Sequence, residues 1–136
     1  SKVGDQFLLT SPDVAGAVAV GSQFIEPALA NEYSPDEAAK GAYAAFSWTV
    51  LNSSEARLKA PMAKQTVDRL SRDFLDITGF PAGDPHLQEA AKQAAKQMKD
   101  GQSGTMDIYD NQDRLLGSVT FIKQGGVAVP VSGRKE

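Results

Sequence analysis

A single histidine, His86, and no cysteine set the first limit on what chemistry this chain can do. Disulfides, thiolate zinc sites, iron–sulfur clusters and a cysteine nucleophile are excluded, and a multi-histidine metal site cannot be built within one chain. A Ser-His-Asp arrangement stays open with residues drawn from separate segments, but no G-x-S-x-G elbow marks a serine. His86 follows Asp84-Pro85, which places it at the second position of a helix, where a neutral polar side chain is an ordinary surface choice.

The carboxylates Asp107, Asp110 and Asp113 invite a calcium or glycosidase reading. A calcium loop needs alternating oxygen ligands, a central glycine and a distal Glu, and Asp110-Asn111-Gln112-Asp113-Arg114 offers neither the glycine nor the Glu. Asn and Asp tolerate the left-handed backbone of tight turns, so hairpin chemistry explains the segment better. Ser132-Gly133-Arg134-Lys135 has the Ser-x-x-Lys spacing of acyl-enzyme serines, yet that chemistry needs a helix start and the four residues sit in a polar tail. Gly101 and Gly104, or Gly125-Gly126, are not followed by a helix and so do not cradle a phosphate. Asn52-Ser53-Ser54 spells an N-glycosylation site, and the same residues equally serve as a helix cap.

The elements that must position these residues announce themselves by their starts. Ser11-Pro12, Ser34-Pro35 and Asp84-Pro85 each pair a capping oxygen with a proline at the first helical position, and Glu37 completes a capping box behind Ser34. The pattern predicts helices over about 12–25, 35–51, 53–60, 62–78 and 85–99, with Pro61 dividing the third from the fourth. Ala39, Tyr43, Phe46 and Val50 form a stripe on the second, widened by Ala44, Trp48 and Leu51, which makes that helix central. Val67, Leu70, Phe74 and Ile77 are the apolar stripe of the fourth, which ends before Gly79; Leu87, Ala91, Ala94 and Met98 are that of the last.

After Gly104 the period changes from helical to alternating. Strands are expected over about 105–109, 115–123 and 127–131, joined by the Asp110–Asp113 and Gly125-Gly126 turns into an antiparallel meander, with Pro130 pointing to an edge position. A fourth strand over 3–10 is a further candidate, and 132–136 reads as a frayed tail. The fold class is therefore α+β, with four to five helices followed by a three-stranded meander in one domain. Its runner-up is a curved sheet closing over the helices around a pocket.

Composition narrows the partners. A hydrophobic share of 41% and a charged share of 23% suit a folded, soluble domain of 136 residues, a length that buries a core without staples. Net charge is −3 and the sequence pI about 5.1, the opposite balance from what binding to a phosphate backbone demands, so nucleic acid is an unfavourable partner. No apolar run reaches the length of a membrane span. Absence of cysteine is compatible with the cytoplasm and with export after removal of a signal peptide.

These exclusions favour a non-enzymatic protein-binding or assembly module, such as an adaptor, inhibitor, secretion accessory or virion component. Its candidate surfaces are the lysine face Lys92, Lys96 and Lys99 and the strand edge Val127, Val129 and Val131, where another strand could add. The alternative is a small-molecule-binding domain with a pocket lined by Tyr43, Phe46, Trp48, Phe74 and Phe121, and a third is a hydrolase using carboxylates or a Ser-His pair. No metal or cofactor is expected.

Overall fold

A computed structural model describes residues 33–52 and 63–136. The expected helices over 12–25 and 53–60 and the expected strand over 3–10 lie outside the described residues. Within them the order is α1 (Pro35–Asn52), α2 (Lys64–Thr78), α3 (Pro85–Gln97), β1 (Ser103–Tyr109), β2 (Leu115–Gln124) and β3 (Val127–Lys135). The architecture is α+β. Three helices and a three-stranded antiparallel sheet are described, where four to five helices and a fourth strand had been expected from the sequence.

The helix starts follow the cap chemistry. The Ser34 hydroxyl accepts from the Glu37 N–H at 3.2 Å and donates to Glu37 Oε1 at 3.2 Å. At α3, Asp84 Oδ1 accepts from the backbone N–H of His86 at 2.8 Å and of Leu87 at 3.1 Å, with Pro85 filling the position whose donor would go unused. Helix α2 closes on Gly79, at φ +83°, whose N–H returns to the Leu75 carbonyl. Helix α3 stops two residues short of the expected end. Met98 turns extended, and the chain that follows is tied to the sheet, Gly101 N–H donating to Lys123 O and Lys123 N–H to Gln102 O.

The order of the described strands is β1-β2-β3, so among them β3 and its Pro130 lie at an edge. The third strand does not end at Val131. It runs to Lys135, pairing Ser132 with Thr120, Gly133 with Val119 and Lys135 with Gly117, so the stretch expected to fray is strand. Register shifts between Thr120 and Phe121, which pair with Ser132 and Pro130 and leave Val131 as the extra residue of a bulge. A bulge inside a polar-looking end hides the continuation from a period-two reading.

Helix α1 is buried nearly all round, from Ala42 through Trp48, because it packs between α2 and β3. Helix α2 rests on β3 as well, and α3 spans all three strands. Phe74, Phe80, Leu87, Ile108, Val119 and Phe121 fill the shared core, with Trp48 stacked on Phe74 at 5.9 Å between ring centroids. Tyr43, Phe46, Val50 and Leu70 make a second cluster where α1 meets α2. No helix among the described residues is long and apolar enough to cross a membrane.

Candidate functional site

Because α1 and α3 both sit on β3, a groove of about 420 Å³ opens between them. Trp48 and Asn52 come from the end of α1, Gln88, Ala91, Lys92 and Ala95 from α3, and Gly126, Val127 and Ala128 from the β2–β3 turn and the first residues of β3. The α3 residues follow spacings of three, one and three, one stripe of a helix. Its alanines keep that wall low, and the groove exists for this reason. At one end, Asn52 and Gln88 bridge the two helices: Gln88 Nε2 donates to Asn52 Oδ1 at 3.0 Å, while Asn52 Nδ2 donates to Trp48 O at 3.1 Å and to Ala82 O at 3.3 Å. Both ends of the Asn52 amide are thus engaged in structure.

The rim is basic. Lys92 and Lys96 are exposed on α3 and Lys99 just beyond it, and their amines meet no carboxylate among the described residues. Glu89, the nearest acid on the helix, is held by Gln93 at 3.2 Å. Val127 is 54% exposed, a large apolar side chain left in solvent at the groove mouth.

Two of the six residues proposed for partner binding, Lys92 and Val127, therefore come together, although they lie on separate elements. Lys96 continues the α3 wall one turn on. Val129 and Val131 do not present side chains to a partner; both are buried in the core. The five aromatics proposed to line a pocket do not come together at the groove. Tyr43 and Phe46 belong to the α1–α2 cluster, Phe74 and Phe121 are fully buried, and Trp48 alone of the five lines the groove. Gln88, Ala91, Ala95 and Ala128 carry no site reading in the sequence, where Asn52 reads as a sequon or helix cap and Gly126 as a turn. The small-residue face of α3 was the available signal, since alanines at helical spacing imply a neighbour close by or a gap.

No protein family, curated protein or solved structure matches this chain.

The residues with catalytic potential are dispersed. His86 is half-buried at the start of α3, and no group of three His, Asp or Glu residues able to hold a metal occurs among the described residues. Asp110 organises the β1–β2 turn: its Oδ1 accepts from Gln112 N–H at 2.8 Å and Arg114 N–H at 3.0 Å, and its Oδ2 meets Arg114 Nε at 3.0 Å. The Arg114 backbone bond first, joined by the Gln112 bond and the guanidinium, holds its carboxyl below the usual range against the opposing effect of desolvation. Asp113 adopts φ +59°, the left-handed turn geometry its type tolerates. Ser132 and Lys135 sit within β3, not at a helix start.

Among the described residues Tyr43 is the other perturbed group. Desolvation, followed by its 2.5 Å hydrogen bond to Asp73 Oδ2 and the charge of that carboxylate, pushes its hydroxyl far up, so it stays a neutral donor. It pins α1 to α2, away from the groove.

Proposed function

We propose that this chain is a non-enzymatic protein-binding module whose partner seats in the groove between α1, α3 and the β2–β3 turn. The observation that carries the reading is the convergence of Trp48, Val127 and the low Ala91–Ala95 wall, from three separate elements, beneath lysines that meet no carboxylate among the described residues. Apolar floors with charged rims are the usual anatomy of recognition surfaces, where buried anchors carry affinity and rim charges steer encounter. A photo-crosslinking side chain placed at Lys92 or Val127 should give a discrete protein adduct in cells of the native source, with none from the same probe at Asp107. Equal labelling at Asp107, or no adduct at the groove positions, contradicts the reading.

The groove volume also favours a second reading, a small-molecule site, since about 420 Å³ lies within the range of ligand pockets, roughly 300–1,000 Å³. A small molecule bound there would block the crosslinks without itself being a protein adduct.

A further inference from the structure

Resting on that reading, we infer that the groove accepts an extended acidic segment of a partner protein, with one large apolar side chain entering beside Trp48 and alternating carboxylates facing Lys92 and Lys96. Three observations converge on this occupant. The first is charge: Lys92 and Lys96 are exposed beside the groove, and neither meets a carboxylate among the described residues, in a chain whose net charge is −3. The positive charge is local to the α3 side, with Asp100 across the groove at Gly126, so it complements a short acidic segment lying along α3, whereas the whole molecule repels an extended polyanion surface. The second is spacing. Four residues of helix rise about 6 Å, and two residues of an extended chain span about 7 Å, so carboxylates at every second position of a strand keep step with lysines one helical turn apart. The third is the shape of the floor, where Ala91 and Ala95 leave room against Trp48 and Ala128 that no described side chain fills.

Trp48 is the only tryptophan in the chain, so its fluorescence reports the place where the core meets the groove. The probe is a peptide with one phenylalanine followed by alternating glutamates, compared with a peptide in which lysines replace the glutamates, one in which alanine replaces the phenylalanine, and vesicles of mixed phosphatidylserine and phosphatidylcholine. The acidic peptide should shift the emission saturably, and binding should weaken roughly ten-fold in the K92E/K96E variant, as expected for two surface charge pairs turned from attraction to repulsion. Loss of the phenylalanine should weaken it by a further ten-fold or more, as expected for removing a buried aromatic anchor. The variant residues are exposed, and circular dichroism checks that they leave the fold unchanged. Equal binding by the lysine peptide, abolished by V127D, overturns the acidic assignment while leaving the groove as a protein site. A response to the vesicles and not to the peptides overturns it in favour of a lipid surface. No response to any of them overturns it too, while the crosslinks at Lys92 and Val127 separately decide whether the groove binds protein at all.

Discussion

The two ends of the β2–β3 ribbon are built on opposite plans. At the turn end, Gly125 and Gly126 have open space where a side chain would stand, and the groove begins there. At the far end backbone meets backbone: a Cβ on Gly133 would lie 2.4 Å from Thr78 O, and one on Gly117 would lie 2.2 Å from Arg134 O. The Thr78 hydroxyl lies 2.9 Å from Phe74 O and 3.0 Å from Phe80 O, which ties the end of α2 into that contact, with Phe80 fully buried beside it. One end leaves no room for anything else to enter. The other leaves a lined opening, and the contrast teaches that the space at the groove is a local property of the alanine wall and the glycine turn, not looseness of the whole fold.

The largest effect should come from filling the closed end. Gly133→Val and Gly117→Ala each force backbone apart and should destabilise the protein by about 2–4 kcal/mol in denaturant unfolding, comparable to severe overpacking. Gly83→Ala, whose new methyl meets nothing within 4 Å, should leave stability unchanged or raise it by a few tenths of a kcal/mol through the unfolded chain. If the two sets cost the same, backbone does not meet backbone closely at Gly117 and Gly133.

Next in size is the hydrogen bond that pins α1 to α2. Tyr43→Phe removes the bond to Asp73 and should cost about 1 kcal/mol, read from the same unfolding curves. Ser47→Ala sharpens the point from the other side: its buried hydroxyl has no hydrogen-bond partner among the described residues, so its loss should be neutral or stabilising by up to about 1 kcal/mol.

The smallest effect belongs to the exposed β1–β2 turn. Asp110 has a folded-state pKa held below its ordinary value of 3.8, so its contribution is complete above that value and disappears as pH falls through the lowered one. Asp110→Asn should therefore narrow its stability difference from the parent only at acid pH below the ordinary carboxylate value. A difference that instead grows on acidification contradicts the turn geometry.

Much of this frame was legible in the residues. Ser34-Pro35 and Asp84-Pro85 start helices because cap and proline act locally, within a few residues, and both were observed doing so. Gly79 ends α2 for an equally local reason. The end of β3 was not legible, because Ser132 to Lys135 become strand only through partners on β2 and a bulge at Val131 that no local pattern encodes. The groove was half legible. Lys92 and Val127 could be singled out one by one as exposed features, but their meeting depends on α1 and α3 sharing β3, and Val129 and Val131 are buried, which an alternating pattern does not foretell. Aromatic residues on α1 pointed to a pocket, whereas the opening lies where alanines are, since a gap is made by the side chains that are too small to fill it.

Backbone and tryptophan-indole NMR shifts on adding the phenylalanine–glutamate peptide test the central claim most directly. The account predicts perturbations concentrated at Trp48, Ala91, Lys92, Ala95, Val127 and Ala128, with Gly79, Gly117 and Gly133 unmoved. Shifts confined to the closed end, or spread evenly over the sheet, would contradict it.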